Sequence, residues 1–177
     1  MMPQRRWMLM AAAQNKRLWL YKDGVTTEGY SFVYGWEYGG TKAGTFTDAD
    51  GVLKCYAYDG SDTYSYGCAM TEATGLWRPN LENYKRICFT AMCSPNYPAA
   101  VTYQHVGVYS DDLPNISNAL AVETPPFEEY GKVTIDIATL LANNPDVNMF
   151  YIGAGVLTVA SMAYGAVYVS IREIWLE

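Results

Sequence analysis

An all-β fold, two antiparallel sheets packed as a β-sandwich with jelly-roll connections, is predicted for this chain by three features of its sequence. Apolar and polar residues alternate over short runs; clusters of Gly, Asp, Asn and Pro punctuate those runs; and no long stretch repeats its apolar residues every 3.6 positions. Length sets a bound on the organisation. A chain of 177 residues suits one domain, able to bury about 70% of the surface its unfolded form exposes. With no fixed-period repeat and no low-complexity linker, the expected layout is a short extended N-terminal segment, residues 1–16, followed by one soluble sandwich domain, residues 17–177.

Taken in order, about ten strands are expected. Leu18 and Leu20 alternate with Arg17, Trp19 and Tyr21 before a turn at Asp23 and Gly24. Phe32, Tyr34, Trp36 and Tyr38 share one parity of the next run. Asp48 to Gly51 form a turn into a strand with Leu53, Cys55 and Ala57 on one face. Asp59 to Asp62 form another, so Tyr64 to Met70 is expected to return as the hairpin partner of that strand. Ile87, Phe89 and Ala91 mark one face of the run from Lys85 to Cys93, and Val106 and Val108 lie opposite Tyr103, His105 and Tyr109 in the run from Val101. The three prolines between Ser110 and Pro126 predict a long connection with one short strand near Ala119 to Val122. Val133, Ile135 and Ile137 then point inward, and a single helical turn fits Ala138 to Ala142 before Asn143, Asn144 and Pro145 stop it.

Two apolar strands close the chain, over Asn148 to Val156 and Gly165 to Leu176. In the last, Val167, Val169 and Ile171 share a parity that Ile174 and Leu176 break. Sending those two outward costs about 1.5–3 kcal/mol each. A β-bulge near Arg172 and Glu173 would return them to the core; the alternative is that both face outward against another subunit.

Few residues offer chemistry. His105 is the one histidine, whereas imidazole metal sites draw on several, so no metal or cofactor is expected. Phosphate-loop, dinucleotide and nucleophile-elbow motifs are absent. Glu128 and Glu129 would face opposite ways on a strand, which weakens a glycosidase reading, and the acidic turns are ordinary turn chemistry rather than calcium loops. Cys55, Cys68, Cys88 and Cys93 lack zinc spacings and read as reduced, partly buried small hydrophobes. Aromatic residues carry the strongest signal, with 16 Tyr, five Trp and five Phe. A stripe of rings along one strand face suits either core or a sugar contact, and Trp36 and Tyr38, beside Gly39 and Gly40, are the expected ligand-binding residues, with Tyr103 and His105 on a neighbouring strand.

Charge is segregated along the chain. Residues 1–22 hold Arg5, Arg6, Lys16, Arg17 and Lys22 and no acid, leaving seven bases against 18 acids, or −11, in the other 155 residues. An acidic body repels phosphate, which argues against nucleic acid as a partner. The apolar stretch from Trp7 to Ala13 is short for a secretion signal and is followed by Lys16 and Arg17, and no stretch approaches the 18 apolar residues of a membrane span.

The start, Arg5 to Ala13, resembles the Arg- and Met-rich leaders of structural proteins from phages and prophages of Gram-positive gut bacteria, and the end, Val169 to Glu177, resembles the last strand of their sandwich domains. The two stretches that carry the resemblance make up about a tenth of the chain. The resemblance implies a non-catalytic virion component, a tail-fibre, baseplate or head-fibre domain, assembled in the bacterial cytoplasm and commonly homo-oligomeric. Residues 1–16 would then dock to other virion proteins while the sandwich meets a cell-surface glycan. A free carbohydrate-binding module or secreted adhesin is the alternative, and a sandwich glycosidase the third.

Overall fold

The computed structural model describes residues 17–28, 30–33, 46–56, 64–72, 76–96, 101–110, 119–158 and 167–177. These residues form thirteen strands: β1 (Leu18–Lys22), β2 (Val25–Thr26), β3 (Tyr30–Val33), β4 (Phe46–Ala49), β5 (Val52–Tyr56), β6 (Tyr64–Glu72), β7 (Leu76–Trp77), β8 (Arg86–Cys93), β9 (Val101–Tyr109), β10 (Ala119–Glu123), β11 (Gly131–Asp136), β12 (Met149–Thr158) and β13 (Tyr168–Leu176). The first sheet runs β11-β8-β13, and β13 then shares its far edge between β5, at Tyr168–Ile171, and β1, at Glu173–Leu176. The second runs β10-β9-β12-β6-β3. Two antiparallel sheets thus make the expected sandwich.

Its winding follows from which sheet each strand joins. From β5 onward, apart from the two-residue β7 beside the start of β12, the chain visits the first sheet with β5, β8, β11 and β13 and the second with β6, β9, β10 and β12, in the spatial orders β5-β13-β8-β11 and β6-β12-β9-β10. That interleaving of two four-stranded sheets is a jelly roll.

One local expectation fails. β5 and β6 form no hairpin, because β5 pairs with β4 and β13 while β6 pairs with β3 and β12. Turn residues say where a strand stops; its partner is set by the faces that must be buried. Leu53 and Cys55 of β5 face the other sheet, where the Cys55 thiol lies 4.0 Å from the Ala154 carbonyl of β12. Tight hairpins do form at Asp23-Gly24 and Asp50-Gly51, each a two-residue loop with positive φ at both positions (51° and 81°, 59° and 71°).

The core lies between the sheets. Ile87, Phe89, Ala91 and Cys93 of β8 and Val169, Ile171, Ile174 and Leu176 of β13 meet Val106 and Val108 of β9 and Ile152, Ala154 and Val156 of β12. Gln104 spans the two layers, donating through Nε2 to Ser94 Oγ (2.6 Å) and the Tyr168 carbonyl (2.9 Å). The break in parity along β13 is resolved by a bulge: Ile171 pairs with Ala91 and Glu173 with Thr90, leaving Arg172 unpaired on that edge. A second register shift, between Trp19 and Tyr21, lets β1 follow, so Leu20 and Tyr21 are both fully buried. Val167, Val169, Ile171, Ile174 and Leu176 all reach the core, which answers the alternative of an outward-facing pair.

Two helical pieces close one end. A helical turn, Arg78–Leu81, follows β7, and the helix Ile137–Asn143 is somewhat longer than the expected turn because Asp136 caps it, accepting from the Thr139 amide at 2.8 Å. The Arg78 guanidinium joins them, donating to the carbonyls of Val147, Leu141 and Asn144, where a helix C-terminus leaves acceptors unfilled.

Candidate functional site

Of the expected ligand-binding residues, Trp36 and Tyr38 lie outside the described residues. Tyr103 is placed by its backbone on β9, opposite Leu157 of β12. His105 is described fully: it faces away from the core side of β9, yet is only 3% exposed. It belongs to a trough of small residues on the outer face of the second sheet, where the register aligns His105 with Gly155 and Gly67, and Gly107 with Gly153 and Ala69. Its ring lies so close over Gly155 that a Cβ there would stand 2.7 Å from Nε2, and Nε2 meets the Tyr109 hydroxyl at 2.7 Å. Burial lowers the imidazole pKa to about 4, so the ring is neutral at pH 7. A neutral, enclosed ring of this kind is a packing and hydrogen-bonding element of the sheet.

The other sheet presents a different outer face. Antiparallel register sets Trp19 of β1 beside Trp175 of β13, with ring centroids 5.2 Å apart at 42°. Trp175 is only 4% exposed because long side chains cover it. The Arg17 guanidinium lies 5.9 Å from the Trp19 ring and 5.4 Å from that of Trp175, Lys22 Nζ lies 4.4 Å from Trp19, and Lys132 Nζ lies 5.2 Å from Trp175. Further along β13 the pattern repeats, with Lys54 Nζ 4.7 Å from the Tyr168 ring and the Arg172 guanidinium 3.8 Å from that of Tyr130. Tyr130 is held there by a 2.7 Å hydrogen bond between its hydroxyl and Ser170 Oγ. Each such cation–π contact is worth about 0.5–1 kcal/mol at an exposed site.

A carboxylate sits at one end of this array. Glu177 accepts from Trp175 Nε1 (3.0 Å) and Lys132 Nζ (3.0 Å), with Arg86 at 3.5 Å and Arg17 at 3.6 Å. The indole and ammonium donors hold its carboxyl down to about 2, well below the ordinary range. Backbone bonds fix the same residue, whose carbonyl receives the amides of Lys85 and Arg86. Beneath the array Cys88 is fully buried, its thiol pushed up to about 11 by burial and then by the nearby Glu177 charge. Cys88 and Cys93 are buried thiols outside any disulfide.

What this face can do chemically is hold acid groups. Its four cations around Glu177 and Glu173 keep 45–56% of their side-chain surface in water. Sequence reasoning passed it over, although the alternation of Trp19 with Leu18 and Leu20, and of Trp175 with Ile174 and Leu176, already places both indoles on the outward parity. What alternation omits is that the first and last strands are neighbours.

Among the described residues no cluster of three or more His, Cys, Asp or Glu side chains could hold a metal ion, and no helix is long and apolar enough to cross a membrane. No protein-family model matches the chain, and no curated protein matches it in sequence.

Proposed function

We propose that the chain is a non-catalytic structural protein of a bacteriophage particle, in which residues 1–16 dock to neighbouring virion proteins and the jelly roll is displayed outward as a homo-oligomer that meets glycan on the host surface. The observation that carries this reading is the strand order β5-β13-β8-β11 over β6-β12-β9-β10, the winding on which viral capsid and lectin domains are built. Fold alone assigns no function; here it joins the resemblance of both chain ends to phage structural proteins. The buried thiols of Cys88 and Cys93, outside any disulfide, support assembly in a reducing cytoplasm.

Particles released by host lysis and banded on a density gradient provide the test. An antiserum against the chain should detect it in the particle band, in many copies per particle. Recovery in the soluble fraction alone would overturn the reading.

A further inference from the structure

Six of the eight described lysines and arginines, Arg17, Lys22, Lys54, Arg86, Lys132 and Arg172, stand on the outer face of the first sheet. Among the described side chains three acids, Asp136, Glu173 and Glu177, share that face, so those side chains carry an excess of three positive charges there on a chain whose net charge is −6. The cations are not scattered. Five lie over the rings of Trp19, Trp175, Tyr168 or Tyr130, which hold them in place. The row follows β13 from Tyr168 to Glu177, about 25–30 Å at a strand's rise.

We infer that this face binds an acidic polysaccharide, one bearing carboxylates along a linear chain, laid along β13. The inference rests on the proposed display role and names the class of glycan and the site. Charge complementarity is the first argument. The second is the end of the row, where an indole N–H, an ammonium and two guanidinium groups already converge on the carboxylate of Glu177, showing that this arrangement satisfies a carboxylate. The length of the row calls for a linear polyanion. Trp175 is too covered to be a stacking platform for bases, so nucleic acid fits less well than a sugar acid gripped by its charges and by ring edges.

Affinity electrophoresis of the full chain through native gels containing polygalacturonate, dextran sulfate, neutral dextran or poly(dT) tests it. Retardation by polygalacturonate, weakened by salt and absent with dextran, is expected. Lys54→Ala with Arg172→Ala should reduce the affinity about tenfold. Those two side chains have no ion pair with Glu177, so the variant tests the row without loosening the C-terminal strand. Arg17→Ala with Lys132→Ala should do the same at the other end. The inference fails if polygalacturonate and dextran retard the chain equally, if a variant that melts like the parent keeps full affinity, if dextran sulfate alone binds, or if poly(dT) binds more tightly. Particle association is measured separately, so a chain that binds polygalacturonate but stays out of the particle band overturns the virion reading and leaves this one standing.

Discussion

At the scale of single residues, His105 shows how a side chain can have the chemistry of a site and the surroundings of a core. Its alternation with Val106 and Val108 is what parity predicts, but parity does not tell that the outer face of the second sheet is itself covered. The small residues opposite it, Gly155 and Gly67, were the available signal, since a strand glycine marks a close approach. The consequence is a pH dependence. In the unfolded chain the imidazole ionises near 6.5, in the fold only near 4. Between those values the unfolded state binds a proton that the folded state refuses, so stability is fully present above pH 6.5 and falls as the pH drops towards 4, by about 3 kcal/mol in all. The urea midpoint should decline over that window, and His105→Gln, which can still meet the Tyr109 hydroxyl, should flatten the decline. Glu177 acts lower: its depressed pKa contributes stability above about 4.5 that is lost as the pH falls towards 2. A parent protein whose midpoint is constant from pH 6.5 to 4.5 would contradict the buried, neutral ring.

At the scale of elements, the features legible in the sequence are those with a local cause. The Asp-Gly turns at 23–24 and 50–51 supply the positive φ that two-residue hairpins need, and the alternation of Val133, Ile135 and Ile137 matches their burial on β11 and at the helix start. The bulge in β13 was legible too, because a change of apolar parity from Ile171 to Ile174 has no other inward solution within one strand. Pairing was not legible, and β5 and β6 show why: both are bounded by turns and lie close in sequence, yet each pairs into a different sheet. The bulge gives a sharp prediction. Arg172 is exposed, so Arg172→Ala should change stability by no more than about 0.5–1 kcal/mol. Deleting Arg172 removes the extra residue, so Ile171, Ile174 and Leu176 fall on one inward parity of a regular strand and the pairs Ile171–Ala91, Glu173–Thr90 and Ile174–Phe89 are kept. Turned outward instead, two large apolar side chains at about 1.5–3 kcal/mol each would consume much of the stability of a domain that has about 5–15 kcal/mol in total. The deletion variant should therefore stay soluble and unfold cooperatively; loss of soluble expression or of cooperative unfolding would show that the bulge itself, and not only the inward parity, is needed by the C-terminal strand.

At the scale of the whole molecule, charge and topology act together. The jelly roll brings β1, near the start of the described chain, against β13 at its end, and so carries Arg17 and Lys22 to the same face as Lys132 and Arg172. A basic stretch that looks separate in the sequence is, from Arg17 onward, part of the sheet. The expected boundary between an attachment segment and the sandwich therefore falls just before β1, whose first residues are already pinned: Leu18 pairs with Leu176, and Arg17 reaches Glu177 at 3.6 Å. Removing residues 1–16 should leave those contacts intact. The shortened chain is expected to keep its thermal midpoint within about 2 °C of the full chain, since a change below 0.5 kcal/mol moves a domain of this size by only that much. It should also fail to enter particles when supplied in place of the full chain, because Arg5, Arg6 and Lys16 are the positive charges that the proposed docking segment offers to an acidic neighbour. Extending the deletion through Trp19 should behave differently, removing the ring beside Trp175 and the first two residues of β1 with their pairs to Leu176 and Trp175, with a loss of stability read as an earlier and broader melt. If the shorter deletion already lowers the midpoint by many degrees, residues 1–16 pack on the domain and the attachment role fails. If it leaves both midpoint and particle incorporation unchanged, docking is performed by the sandwich itself.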